Sequence, residues 1–237
     1  MGGGLAGRAI EMVRCLDSDL EVPAHAEFVL EGEILPGTRE SEGPFGESSG
    51  YYLGFQSPVG RIKSVMHRKD AIYHALVPFS GEDSTLSEFL WEAENLPGLK
   101  QKFPSLARIH IPPRSLGLTV LVGVAPTPHT EVKKLIQAIW ETMPVAKNVV
   151  VVDHDVSLSG GDDLLWALST RLRAEEGLWT EKGGRGMGID PSVTAGQPVT
   201  RVAIDATALA DDAVLFRRVD ASEPVRQRVE GLLKPYL

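Results

Sequence analysis

Four consecutive valines, Val149 to Val152, stopped by Asp153, constrain the fold more than any other stretch of this chain. β-Branched residues favour an extended backbone, and a strand without polar alternation has to be buried on both faces. A second apolar run, Leu116 to Val124, requires the same burial. The segment between them has a different period. Behind Thr130, read as an N-terminal cap, Val132, Leu135, Ile136, Ile139 and Trp140 share one face of a helix. Strand, amphipathic helix and strand in that order predict a right-handed crossover and a parallel pair. Ala107 to Ile111 adds a strand before them and Val202 to Asp205 a short one after. Asp162 to Arg173 is expected as a helix with Leu164, Leu165, Leu168 and Leu172 inward. Glu223 to Lys234 is expected to close the chain as a helix with Val225, Val229, Leu232 and Leu233 on one face, packed on its own core or on a second subunit.

The first third has strand periodicity instead. From His25 to Ile34, Phe28 and Leu30 fall on one face and Glu27, Val29 and Glu31 on the other. Tyr51 to Gln56, Arg61 to His67 and Ala71 to Val77 read as further strands, with turns at Pro36-Gly37 and Pro58-Val59-Gly60. This part is mostly antiparallel. Thr85-Leu86-Ser87-Glu88 then reads as a capping box opening a helix to about Glu94, ended by Pro97-Gly98. The fold class is therefore α+β, an antiparallel part followed by an α/β part with a mainly parallel sheet.

At 237 residues the chain suits one large domain or two small ones. A formal charge of -8, with no cluster of Lys and Arg, argues against a nucleic-acid footprint. The longest basic stretch, His67-Arg68-Lys69, is followed at once by Asp70 and reads as a strand end facing water. One cysteine, Cys15, allows no internal disulfide, which fits a reducing cytoplasm and a packing role. No signal peptide and no bilayer-length apolar run is present, so a soluble protein without membrane attachment is expected.

Chemistry is best sought in Glu42-Gly43-Pro44-Phe45-Gly46-Glu47, followed by Ser48-Ser49-Gly50-Tyr51-Tyr52. Two glycines that tolerate positive φ, a proline with fixed φ and an apolar anchor hold two carboxylates in definite directions. Acids fixed close together can have their pKa values driven apart, one accepting hydrogen bonds while the other keeps a proton to deliver. Spacing alone favours a solvated surface loop and does not settle between the two. Ser48 and Ser49 have no histidine near in sequence to activate them as nucleophiles. Asp153-His154-Asp155, at the end of a buried strand, has metal-ligand residue types but no second ligand cluster at matching spacing, so no metal is assigned. Gly184-Arg185-Gly186-Met187-Gly188 follows a polar stretch, not expected as a strand, and leads to Ile189-Asp190-Pro191, not expected as a helix, so it is not read as a dinucleotide fingerprint. The polar, glycine-rich stretch Glu181 to Pro198 is a lid candidate. His25 and His74 are read as structural histidines in strands.

The run Asp19-Leu20-Glu21-Val22-Pro23-Ala24-His25-Ala26-Glu27-Phe28-Val29-Leu30-Glu31-Gly32-Glu33-Ile34, continuing through Glu42 to Glu47 and Gly50-Tyr51-Tyr52, resembles the signature of the UbiD family of prenylated-flavin-dependent decarboxylases. His67 to His74, Val149 to Asp155, Trp166-Ala167-Leu168-Ser169-Thr170-Arg171, Ile189-Asp190-Pro191-Ser192 and Ile204-Asp205-Ala206-Thr207 extend it over nearly the whole chain. It covers about the second half of a usual family member. The resemblance implies residues 1–78 as later strands of a split-barrel flavin domain and 79–237 as a C-terminal α/β oligomerisation domain. It implies Glu47 as the acid that protonates the substrate carbon after carbon dioxide leaves, Glu42 as its partner in an Arg-Glu-Glu network, and Ser48 as a pocket residue. Prenylated FMN is the implied cofactor, with Mn and K.

The arginine of that network and the groups holding metal and cofactor phosphate belong to the family's earlier half, and nothing in this sequence matches them. The resemblance therefore implies a split or partial decarboxylase of aromatic or α,β-unsaturated carboxylic acids, completed by a flavin-domain polypeptide in a homo- or hetero-oligomer. The alternative is a non-catalytic assembly subunit of such a complex.

Overall fold

Glycines and prolines in the first third fold into a long ribbon rather than a run of short hairpins. The computed structural model describes residues 2–193, 197–208, 216, 218–219 and 221–233. It divides into two units, Met1–Asp83 and Ser84–Leu237. In the first, a short helix α1 (Gly2–Ala6) precedes β1 (Met12–Arg14), paired antiparallel with β2 (Glu21–Pro23). The ribbon is β3 (Phe28–Gly46) paired antiparallel with β4 (Tyr52–His67). The two sheets are separate, and no closed barrel forms among the described residues.

The turns expected at Pro36-Gly37 and Pro58-Gly60 face each other inside the ribbon as a register shift. Ile34 pairs with Gly60 and Arg39 with Pro58, and the extra residues of β3 bulge out around Gly37, whose φ is 69°. A bulge tolerates proline because the missing N–H is not needed there. Ala71 to Val77, expected as a strand, has no regular structure. The Ile72 N–H donates to Glu27 Oε2 at 2.9 Å and Arg68 Nη1 to Glu27 Oε1 at 2.8 Å, so a carboxylate takes the place of a ladder partner. His25 sits in a turn and His74 outside any strand, against Glu11 at 3.2 Å and Glu82 at 2.9 Å.

Helix α2 (Gly81–Lys102) starts earlier and ends later than expected. Its cap is Ser80, not Thr85: Ser80 Oγ accepts from the Asp83 N–H at 3.1 Å while Asp83 Oδ2 accepts from the Phe79 N–H at 3.0 Å. It continues through Pro97. The cost of that proline is offset by tertiary contacts, with Leu99 2% exposed and Glu92 Oε1 accepting from the Ile111 N–H at 2.6 Å.

In the second unit β5 (Leu106–His110), β6 (Thr119–Val124), α3 (His129–Thr142), β7 (Asn148–Asp153), α4 (Gly161–Thr170), α5 (Ala174–Gly177), β8 (Leu178–Gly184) and β9 (Val199–Ala206) form one five-stranded sheet with its helices. The order is β5-β6-β7-β9-β8. The inner pairs β6–β7 and β7–β9 are parallel, and β5 and β8 run antiparallel at the edges. The valine run is buried on both faces as its composition requires. Val149 and Val151 pack with Val132, Leu135, Ile136, Ile139 and Trp140 of α3, while Val150 and Val152 pack with Ala167 of α4. Pro128, not Thr130, precedes α3, and no side chain caps it. Leu165, expected inward, is 62% exposed, and Ala167 fills the buried position. The stretch Glu181 to Pro198 begins as β8, which pairs with β9; residues 194–196 lie outside the described residues. Helix α6 (Glu223–Leu233) exposes Val225, Val229, Leu232 and Leu233; Lys234 lies outside the described residues.

Candidate active site

The tip of the ribbon is shaped by two glycines that let its strands approach closely. Gly43 has φ 81°, and a Cβ there would lie 2.9 Å from the Leu53 carbonyl oxygen; one on Gly54 would lie 3.2 Å from the Glu42 carbonyl oxygen. Between Glu42, opposite Phe55, and Phe45, opposite Leu53, the register shifts. Such an irregularity re-aims the side chains on either side of it. Glu42 ends the regular pairing on one side, and Glu47 follows the last pair on the other.

Glu42 is exposed and held. The Ser57 hydroxyl donates to Glu42 Oε2 from the adjacent strand. Glu47 is half-buried in a turn closed twice, by its own N–H to the Tyr51 carbonyl at 2.9 Å and by the Gly50 N–H to the Glu47 carbonyl at 2.9 Å. Ser48 is half-buried in the same turn, and Ser49 Oγ is buried without a hydrogen-bond partner among the described residues. One carboxylate is therefore oriented by a neighbour, and the other is fixed only through its backbone.

Farther down the ribbon, Glu31 is buried and accepts from the Leu16 and Asp17 N–H groups at 3.1 and 3.0 Å and from the Ser64 hydroxyl at 3.2 Å. Donation from the Ser18 hydroxyl, with those groups behind it, holds its carboxyl below the usual range against the effect of burial.

The carboxyl ends of the parallel strands carry a denser polar cluster. Arg171, its side chain 2% exposed, donates to Asp153 Oδ2 at 2.6 Å and to both oxygens of Asp155 at 2.8 and 2.7 Å. Burial pushes the Asp153 carboxyl up despite the N–H of Ala208 and the Arg171 charge, whereas the Arg171 hydrogen bonds pull Asp155 down. The guanidinium groups of Arg171 and Arg218 lie 4.7 and 4.9 Å from the centre of the Trp166 ring, and Arg218 also holds Asp163 at 2.8 Å. At the end of β9, Asp205 Oδ2 meets His129 Nδ1 at 2.5 Å while its other oxygen takes the Thr207 N–H and hydroxyl. No group of three His, Cys, Asp or Glu side chains converges as a metal site among the described residues.

Two family models match successive stretches of the chain. Residues 1–81 match the 3-octaprenyl-4-hydroxybenzoate carboxy-lyase Rift-related domain, and residues 84–206 match the C-terminal domain of the same carboxy-lyase. The chain belongs to the UbiD family. An anhydromevalonate phosphate decarboxylase of Methanothermobacter thermautotrophicus is 33% identical over 216 residues, which is 90% of this chain and 51% of the relative. The UbiD-class enzyme HmfF from Pelotomaculum thermopropionicum, solved with FMN, superposes with a TM-score of 0.82 at 33% identity, over 92% of this chain and 50% of that one. The closed form of vanillic acid decarboxylase from Sedimentibacter hydroxybenzoicus gives 0.74 at 26% identity, over 98% and 52%. This UbiD-family chain thus spans about half the length of the relatives it matches.

Within that UbiD framework the structure puts Glu42, Glu47 and Ser48 at one end of the ribbon. It gives Asp153 and Asp155 to Arg171, and leaves the intervening His154 exposed. Sequence reasoning missed the Arg171 network and the His129–Asp205 pair. The acids at the strand end were visible, but their partners come from 18 and 76 residues away, and no local spacing encodes such separations.

Proposed function

We propose that this chain is the catalytic C-terminal-half component of a UbiD-like decarboxylase that acts non-oxidatively on an aromatic or α,β-unsaturated carboxylic acid in the cytoplasm. The observation that carries this reading is the pair of carboxylates at the ribbon tip. Glu42 is oriented by the Ser57 hydroxyl, and Glu47 sits half-buried in a doubly closed turn with no hydrogen bond to its carboxylate among the described residues. An acid left unengaged by its own protein is suited to hand a proton to a ligand, provided its direction is fixed.

In this reading Glu47 delivers the proton to the carbon that has lost carbon dioxide. Glu42 orients the substrate and Glu47, and Ser48 lines the pocket. Prenylated FMN with Mn and K needs phosphate and metal ligands, and no group of three His, Cys, Asp or Glu side chains converges as a metal site among the described residues. We assign those to a flavin-domain polypeptide that completes the site, and every role given to this chain concerns substrate placement and the proton.

The test mixes the chain with such a polypeptide and prenylated FMN and follows carbon dioxide release from aryl and α,β-unsaturated acids. Turnover is expected, and Glu47→Gln is expected to lower it by about 10²–10⁴-fold with the fold unchanged. Substantial residual activity in that variant removes Glu47 from the acid role. A stable complex without turnover favours the assembly subunit instead.

A further inference from the structure

We propose that Ser57 is a positioning residue for Glu42, a role that rests on the proposed function of the ribbon tip. Glu42 lies opposite Phe55, and Ser57 lies opposite Glu40, so Glu42 and Ser57 are diagonal neighbours on one face of the ribbon. Diagonal partners stand roughly 7–8 Å apart at the backbone, a span a serine closes only with a long carboxylate reaching toward it. The hydroxyl donates its single proton to Oε2. Oε1 stays free for a second donor, so the bond fixes the plane of the carboxylate without using up its capacity as an acceptor.

Ser57 is itself held from the other face. Arg39 Nη1 donates to the carbonyl oxygen of the preceding residue, Gln56, at 2.8 Å, and the Gln56 amide donates to Ser41 Oγ at 2.8 Å. These bonds tie the two strands together one residue from the hydroxyl. On the far side of Glu42 the chain enters Gly43, with its positive φ, and the register shift. Glu42 is therefore the last regularly paired residue before the irregular tip, where the backbone alone defines side-chain direction least. A hydroxyl from the regular part of the neighbouring strand supplies the missing constraint. A charge-assisted bond of this kind is stronger than a neutral one.

The test uses the full chain twice. In the first, glutamate carboxyl carbons are isotope-labelled and the Glu42 resonance is assigned by its loss in Glu42→Gln. Wild type and Ser57→Thr are expected to show a displaced resonance, and Ser57→Ala one that falls among the exposed glutamates. A Glu42 resonance unmoved in Ser57→Ala overturns the proposal. In the second, each variant is combined with the flavin-domain polypeptide and prenylated FMN. Ser57→Ala is expected to lower kcat about tenfold with KM within about twofold, and Ser57→Thr to restore kcat. Wild-type kcat in Ser57→Ala, or no rescue by threonine, overturns Ser57 alone. Absence of turnover in the wild type overturns the proposed function and the catalytic meaning of Ser57 with it, even where the resonance moves as expected.

Discussion

Every fully buried apolar side chain among the described residues, from Leu99 to Ala206, lies in the second unit, whereas the buried residue of the ribbon unit is a carboxylate, Glu31. The second unit packs α3 and α4 against opposite faces of its sheet and so buries its valine run on both sides. The ribbon does the reverse. Phe28, Leu30 and Ile34 of β3 and Ile62 and Val65 of β4 are 44 to 68% exposed. A two-stranded sheet with an open apolar face is marginal by itself. One unit carries its stability within its own layers, while the other carries the candidate chemistry on a scaffold held by backbone ladder and side-chain hydrogen bonds.

Both units contain an arginine–carboxylate pair, at very different burial. Arg171 is buried against Asp153 and Asp155, and Arg68 meets Glu27 with both side chains well exposed. Arg171→Met leaves the Asp153 carboxylate buried without its cation and is expected to destabilise the second unit by about 4 kcal/mol. Arg68→Met is expected to cost at most about 1 kcal/mol in the ribbon. Hydrogen exchange of β6–β7 and β3–β4 amides measures both. Comparable losses would mean that the ribbon hides its ion pairs as the sheet does.

Apolar truncation is the next step down. Ile136→Ala, at a position with no exposure, is expected to cost about 3 kcal/mol, and Leu30→Ala, at 64% exposure, within about 0.5 kcal/mol. All four tryptophans lie in the second unit, so their fluorescence during urea unfolding reports the first variant cleanly. If Leu30→Ala becomes costly when a flavin-domain polypeptide is added, the open face of the ribbon is its docking surface. If it does not, that face has another use.

The sequence was most legible where one residue type has one solution. Four valines in a row have to be a doubly buried strand, and the five apolar residues of α3 have to share a face; both hold in the structure. It was least legible where tertiary contacts overrule local preference. Pro97 was expected to end a helix that in fact continues because Leu99 and Glu92 anchor it, and Pro58 was expected to make a turn that the ribbon absorbs as a bulge. The acids of the candidate site were legible as residue types at a stiff turn. Ser57 was not, because a cross-strand hydrogen bond depends on register, and register followed from the shift by which the ribbon absorbed Pro36-Gly37 opposite Pro58-Gly60.

The smallest expected effect sets two buried glutamates against each other through pH. In the second unit Glu88 is 4% exposed, and neither carboxylate oxygen has a well-formed hydrogen bond among the described residues. Burial pushes its pKa up from 4.5; the N–H dipoles of Leu116, Arg114 and Ser115 oppose this only in part, and the Glu92 charge adds to it. The folded protein therefore holds the Glu88 proton more tightly than the unfolded chain does. Stability falls as pH rises from 4.5 through the raised value, and stays lower above it. Glu31 in the ribbon has the opposite sign, since its pKa is lowered from 4.5, so its contribution is present above that value and is lost as pH falls through the folded one. Glu88→Gln is expected to stabilise the second unit by about 1 kcal/mol at pH 7 and to do nothing below pH 4.5, where both states already carry the proton. Glu31→Gln is expected to weaken protection of the ribbon at pH 7 and to lose that effect in acid. Urea midpoints for the first and amide exchange for the second, each followed from pH 7 down into acid well below 4.5, read the two slopes. Slopes of the same sign would mean that the Glu88 carboxylate finds donors in solution, and that the N–H groups of the 114–116 loop turn fully onto it.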